Sequence, residues 1–531
     1  MLAAAVLTAL ACLLVLFALV APNQFGRLTP WAFLRIPVEA VLFAALILVL
    51  PARMRRRVAA PAGVLLGLVA ILKILDIGFS AVLARPFDLV LDWSLLPIAV
   101  EYLSGTIGRT GAIAIAVAAG LLAVAILVLM TLAVLRLTRL VVRHDTAATR
   151  AVAVLAVVSV GCAVLGVRIV PDQPVTALAY NRGLQVRAGV QDQEVFAAEA
   201  SVDAFAQLPG DELLTALRGK DVIITFVESY GRDAVTDPEF TPRIGALLGE
   251  GNRRLSAAGF SSRSGFLTSP TVGGNSWLAH ATLLSGVWIN NGQRYANLVT
   301  SDRLTLNGAF RRAQWRTVGV MPGNTRAWPE GAFYEYEQIY DSRHLGYEGP
   351  KFGFAPVPDQ FTLSAFERLE RATPGRGPIM AELALVSSHS PWTPNPPLVD
   401  WDELGDGSGF APPPKAKKSD EEDPSRTQKN RTNYRRSIEY SLSSIISYVE
   451  TYGDKDLVFI FVGDHQPAPT VTGEGASRDV PITIIAGDQA VVDRISGWGW
   501  QHGLQPGPQA PVWPMDEFRD RFLTAFGSQG D

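Results

Sequence analysis

Five stretches near the amino terminus are long and apolar enough to span a bilayer, and no other feature limits the fold of this 531-residue chain so strongly. They run over Leu2–Ala21, Ala32–Leu50, Ala60–Leu83, Gly111–Leu135 and Arg150–Val170. Each is close to the roughly 20 residues a helix needs to cross the hydrocarbon core. The first run resembles a signal peptide, and Ala9-Leu10-Ala11-Cys12 loosely mimics a lipoprotein cleavage site. No Lys or Arg precedes it, however, and the apolar run continues well past the cysteine, so it reads as a retained span.

Orientation follows from two arginine clusters. Arg53–Arg57 lies between the second and third runs, and Arg136–Arg150 between the fourth and fifth. Clustered Arg in short connections marks the cytoplasmic side. Both clusters fit that side only if the amino terminus is inside and everything after the fifth span is outside. The bias toward Arg, Ala and Val suggests a high-GC bacterial genome, so the expected location is a bacterial cytoplasmic membrane.

Lys73 and Asp76, three residues apart within the third run, either contact a lipid head group or pair with each other. Pro86–Gly105, apolar but carrying Asp88, Asp92 and Glu101, reads as an interfacial or re-entrant stretch. The net charge of −3 gives no electrostatic argument for nucleic acid. Cys12 and Cys162 both fall in apolar runs, which excludes a disulfide framework or a cysteine metal site elsewhere.

The expected organisation is a membrane domain over 1–170, a linker over 171–218 and an extracytoplasmic domain over 219–531. A mobile insertion rich in Gly, Pro and mixed charge is expected at 405–433. In the third part, apolar strand-like runs alternate with helical periodicity, as over Tyr434–Gly453, and this argues for an α/β sandwich.

Three of those strands end in polar groups: Glu228, then Ser388-His389, then Asp464-His465. Strand ends in α/β sheets converge, so these residues are expected to meet at one site. Asp464-His465 reads either as a loop hydrogen-bond pair or as half of a metal site. Glu228, Asp464 and His465 together form a donor set for one divalent cation. In Ser269–Gly286, paired glycines lead through Asn275 to Ser276 at a helix start. Ser276 is either an N-cap or a nucleophile whose ionisation the helix terminus favours, and the same terminus offers N–H groups to a phosphate.

The order of motifs resembles the sulfatase/alkaline phosphatase superfamily: strand-carboxylate, hydroxyl-helix ending Thr-Leu-Leu-Ser-Gly, then Ser-Ser-His-Ser-Pro-Trp, then Gly-Asp-His-Gln-Pro. With five preceding spans it is more closely similar to lipoteichoic acid synthase-like membrane phosphoglycerol transferases. The resemblance implies a five-helix transmembrane domain followed by an α/β alkaline-phosphatase-like (sulfatase) sandwich. It implies Glu228, Asp464, His465 and Ser276 as ligands of one divalent cation, Mn²⁺ before Mg²⁺ or Zn²⁺. It also implies His389 at the substrate's phosphate or glycerol. Ser276, ten residues before Gly286, matches the reactive position of related sulfatases, and Thr271 is the second candidate because lipoteichoic relatives use Thr. Where those relatives carry Trp-x-Arg, this chain has Trp328 and then Glu330, so Arg326 or Arg232 is expected to supply the missing cation. His280 stands where sulfatases have Arg and is expected to contact the phosphate.

The implied activity is transfer of a phosphoglycerol-type head group from a phospholipid such as phosphatidylglycerol to an envelope glycolipid or polysaccharide. The alternatives are a phosphoethanolamine transferase, a phosphodiesterase or sulfatase-type hydrolase, and a non-catalytic lipid-binding pseudoenzyme. Sulfatase chemistry fits poorly, because Ser276-Trp277-Leu278-Ala279-His280 lacks the Pro/Ala and Arg of a formylglycine motif.

Overall fold

The computed structural model describes residues 2–528 apart from 24–26, 28, 166–173, 355 and 414–425. The chain divides into two compact units, Met1–Asp192 and Gln193–Asp531.

In the first unit, five helical segments are long and apolar enough to cross a membrane: Leu2–Val20, Pro30–Val49, Ala52–Leu83, Arg109–Arg143 and Asp145–Cys162. The end of the fifth expected run, 166–170, lies outside the described residues. The arginine clusters are not loops. Arg53–Arg57 forms the first turns of helix Ala52–Leu83, and Arg136–Arg143 ends helix Arg109–Arg143. Arg is a good helix former whose long stem lets its charge reach the membrane surface, so helix continues past the apolar stretch. Gly63 and Gly67 bring these two helices together, since a Cβ at Gly63 would lie 2.6 Å from Thr131 Cα. Small residues four apart are a general device for close helix contact in membranes.

Both sequence readings of Lys73 and Asp76 are corrected. Lys73 Nζ donates to the carbonyls of Ala18 (2.9 Å) and Ala21 (2.8 Å), closing the end of the first helix. Asp76, fully buried, accepts from Asn23 Nδ2 (3.0 Å), the Phe87 N–H (3.0 Å) and Arg182. The two charges therefore tie helix ends together. Pro86–Gly105 contains a 3₁₀ turn over Asp92–Ser94 and most of a helix over Leu95–Ile107, with Asp92 paired to Arg85 at 2.6 Å.

In the second unit, nine strands among the described residues form one mixed sheet. They are β1 (Asp221–Val227), β2 (Ser261–Thr268), β3 (Arg316–Met321), β4 (Gln338–Asp341), β5 (Ile379–Leu385), β6 (Leu457–Gly463), β7 (Asp479–Ala486), β8 (Gln501–His502) and β9 (Val512–Pro514). The order is β4-β3-β5-β1-β6-β7-β2-β8, with β9 on β2. The run from β4 to β6 is parallel, and β7 reverses. Side chains alternate between two cores. Val222, Ile224 and Phe226 of β1 join one and Ile223 and Val227 the other. Helices Ser276–Ser285, Leu306–Arg312 and Glu517–Phe526 cover the first face. Thr241–Ala257, Asp359–Phe366 and Arg426–Tyr452 cover the second. Burial on both faces explains why β1 and β6 read as unbroken apolar runs.

The stretch expected as a linker is helical over Val175–Ser201. The middle of the expected mobile insertion, 414–425, lies outside the described residues. Its flanks are structured: Phe410 packs on Phe352, and helix Arg426–Tyr452 begins eight residues before Tyr434.

Candidate functional site

The three polar strand ends lie side by side because β5, β1 and β6 are adjacent, parallel and in register. Val227 is opposite both Leu385 and Gly463. The next residues, Glu228 after β1, Asp464 after β6 and the Ser387–His389 turn beyond β5, therefore emerge at one edge. Gly463 makes the approach feasible, since a Cβ there would lie 1.9 Å from Tyr230 O.

Glu228, Asp464 and His465 are all buried, and one ligand atom from each lies within 4.8 Å of the others. His465 Nε2 is 3.3 Å from Glu228 Oε1 and 3.7 Å from Asp464 Oδ2. Its Nδ1 sits 2.8 Å from Gln466 O, a contact that places a proton on Nδ1 and turns Nε2 toward the carboxylates. Ser229, with a left-handed backbone (φ 57°), ties the two carboxylates together. Its N–H donates to Asp464 Oδ1 (2.7 Å) and its hydroxyl to Glu228 Oε1 (2.8 Å).

Electrostatics set these groups apart. Burial would raise the Glu228 carboxyl, but the charges of His389 and His465 and a hydrogen bond from His465 hold it well below the usual carboxylate range. Burial and the neighbouring Glu228 charge push Asp464 up. Burial would lower His465, yet the two carboxylates override it and raise the imidazole to about 9. Among the described residues no arginine or lysine pairs with Glu228 or Asp464. Two carboxylates and an imidazole with no fixed cation are a donor set that fits a divalent ion, which would replace the protons held there.

Ser276 completes the cluster. Its hydroxyl donates to Glu228 Oε2 (2.9 Å) and lies 3.3 Å from His465 Nε2. The preceding turn uses three consecutive positive φ values, Gly273 (71°), Gly274 (153°) and Asn275 (62°), which glycine permits and Asn tolerates. Asn275 stands at the N-cap of helix Ser276–Ser285 without making a side-chain cap bond. The Thr271 hydroxyl, in contrast, donates to Gly274 O (2.7 Å) and braces this turn.

The remaining sequence candidates separate. His389 stacks on Phe354 (4.0 Å between centroids), and its Nδ1 contacts Ser390 O. Asp359 holds the turn that carries it, Oδ1 accepting from the Val386 and Ser387 N–H groups at 2.9 Å. His280 lies one helical turn beyond Ser276 and stacks on Phe226 at 3.7 Å. Trp328 packs beside Tyr334 (5.5 Å) and Tyr336 (6.2 Å). Arg326 is exposed, and Glu330 lies in the 3₁₀ turn Pro329–Tyr334. The expectation for Arg232 is corrected: it is paired with Asp479 (2.8 Å) and lies over the Phe266 ring (4.4 Å), so its charge is already committed. Sequence reasoning missed Ser229, which sits beside a predicted ligand, and Asp359 and Glu382, which are buried acids.

No family model matches the chain, and neither does any curated protein. Similar solved structures include the lipoteichoic acid synthase LtaP from Listeria monocytogenes, at 14% identity over 64% of this chain and 79% of that one, TM-score 0.40. The phosphoglycerol transferase GacH from Streptococcus pyogenes, in complex with sn-glycerol-1-phosphate, is similar at 11% identity over 63% and 90%, TM-score 0.35. A third, from Vibrio parahaemolyticus, is described as a protein of the alkaline phosphatase superfamily and is similar at 15% identity over 63% and 74%, TM-score 0.39.

Proposed function

We propose that this chain is a membrane-anchored, metal-dependent transferase that moves a phosphoglycerol-type head group from a phospholipid to an envelope glycolipid or polysaccharide through a covalent Ser276 intermediate. The observation that carries the reading is the Ser276 hydroxyl, bonded to Glu228 and 3.3 Å from His465 Nε2, within a buried three-ligand set. A fold alone has no need to bury two carboxylates beside an imidazole and a hydroxyl with no arginine or lysine to pair them. This argues against a pseudoenzyme.

In this reading residues 219–531 form the catalytic domain, on the extracytoplasmic side of a bacterial cytoplasmic membrane, and 1–170 form the anchor. Glu228, Asp464, His465 and Ser276 would hold one divalent cation, which supplies charge neutralisation at the phosphoryl oxygens. Ser276 Oγ forms a bond to phosphorus as the bond to diacylglycerol breaks, its proton leaving along the hydrogen bond to Glu228. The departing oxygen takes a proton from His389, and diacylglycerol leaves as the alcohol. An acceptor hydroxyl then attacks phosphorus and gives its proton to His389, while the Oγ–P bond breaks and Ser276 takes its proton back along the hydrogen bond to Glu228. The uncapped helix start offers backbone N–H groups to the phosphate, with Trp328, Arg326 and His280 at the head group.

The reading is tested with full-length protein in vesicles of phosphatidylglycerol or phosphatidylethanolamine and Mn²⁺, following diacylglycerol release. Release from phosphatidylglycerol that stops with EDTA is expected. Faster release from phosphatidylethanolamine would reassign the head group, and none from either would reject the reading.

A further inference from the structure

Strand β5, flanked by β3 and β1, buries a carboxylate that the transfer chemistry above does not use. Glu382 lies mid-strand, opposite Ile224 of β1, with its side chain only 1% exposed. A buried carboxylate in a sheet core is costly unless it is hydrogen-bonded. Two groups satisfy this one: His280 Nδ1 lies 2.7 Å from Oε1, and the Tyr336 hydroxyl donates to Oε2. His280 is itself fixed by its stack on Phe226, two residues before Glu228 on the same face of β1.

We infer that Glu382 is a positioning residue of the transfer site, acting through His280; the inference rests on the transferase reading. A carboxylate accepts and cannot donate, so His280 Nδ1 carries the proton in this contact whatever the charge on the ring. Nε2 is then the nitrogen left for the transferred group, and among the described residues it has no hydrogen-bond partner. Residues four apart share a helix face, which places His280 about 6 Å along the axis from Ser276. The His280 side chain is 15% exposed, as expected of a group that meets a ligand at one edge and is held at the other. Tyr336, packed against Trp328, fixes the second oxygen of Glu382 and so keeps Oε1 on the imidazole.

The test uses the full-length chain in detergent with ¹⁵N-labelled histidine, and the variants Glu382→Gln, His280→Ala and both together. Wild type should show His280 as the Nδ1–H tautomer, and Glu382→Gln should change that signature, because an amide can donate to Nδ1. Diacylglycerol release with Mn²⁺ should fall about 10²-fold in each single variant. In the His280→Ala background, Glu382→Gln should cost less than about 2-fold more, the mark of a residue that acts through another. An unchanged tautomer in Glu382→Gln, or losses that multiply in the double variant, would overturn the inference. If Glu382→Gln does not fold, Tyr336→Phe frees Oε2 but leaves the carboxylate in place: the Nδ1–H tautomer should persist, and its smaller loss of diacylglycerol release should vanish in the His280→Ala background. A wild-type chain that shows the tautomer but releases no diacylglycerol from either phospholipid would reject the transfer reading, and with it this role for Glu382.

Discussion

β1 carries a buried acid at each end, and the protein treats the two in opposite ways. At the start, Asp221 is enclosed by guanidinium groups. Arg376 makes two contacts (2.7 and 2.6 Å), Arg371 a third (3.1 Å), and the Ile379 N–H adds a fourth (3.0 Å). Burial would raise this carboxyl, but Arg376 and its neighbours hold it below its ordinary value. Past the other end, Glu228 faces a second carboxylate, an imidazole and a hydroxyl, and Asp464 is pushed up. An acid enclosed by fixed cations belongs to the fold, because removing its charge leaves those cations unpaired. Acids gathered without one lower stability unless something binds. The seven residues of β1 thus separate a structural end from a candidate site.

Substitutions at the two ends should separate activity from stability. Ser276→Ala should lower diacylglycerol release by about 10⁴-fold or more, as expected for a covalent nucleophile. Thr271→Ala, which loses only a brace, should cost less than about 10-fold, and equal losses would void the assignment. Asp464→Asn should remove about 10³-fold of activity or more while leaving the thermal midpoint in EDTA unlowered, because a repulsion is relieved. Asp221→Asn should do the reverse, destabilising by about 3–5 kcal/mol in thermal or denaturant unfolding without touching turnover per folded molecule.

The two ends should also respond to pH with opposite signs. Asp464 and His465 bind protons more tightly folded than unfolded, so their contribution is full at low pH. It is lost as pH rises through the raised values, about 7 for Asp464 and about 9 for His465. In EDTA the unfolding midpoint should therefore fall on going from neutral to about pH 10, and Mn²⁺ should cancel that slope because it takes the place of the protons. Asp221, held low, contributes above the ordinary carboxylate value near 3.9 and loses that contribution as pH falls below it. This is the smallest effect, read as an acid slope that vanishes in Asp221→Asn.

What was legible in the sequence follows the same division. Glu228 and Asp464-His465 could be read because each ends an apolar strand, and strand ends in a parallel sheet meet. The long apolar runs announced five spans, but where helix stops is set by backbone bonding and not by hydropathy, so Arg53–Arg57 turned out helical. Arg232 misled because its partner Asp479 is 247 residues away, a distance that spacing rules do not reach. Lys73 and Asp76 failed likewise, since their partners arrive from other segments: the end of the first helix, the loops at Asn23 and Phe87, and Arg182. Glu382 was hidden by its setting: inside an apolar strand it gives no local signal until His280 and Tyr336 are brought to it.

The central claim, that Ser276 is the nucleophile of a metal-dependent transfer, is tested most directly by peptide mass spectrometry across Thr271–Ser276 after incubation with phosphatidylglycerol and Mn²⁺. A phosphoglycerol adduct on Ser276, absent with EDTA, is predicted. An adduct on Thr271, or an unmodified peptide from protein shown to hold Mn²⁺ and release diacylglycerol, would contradict it.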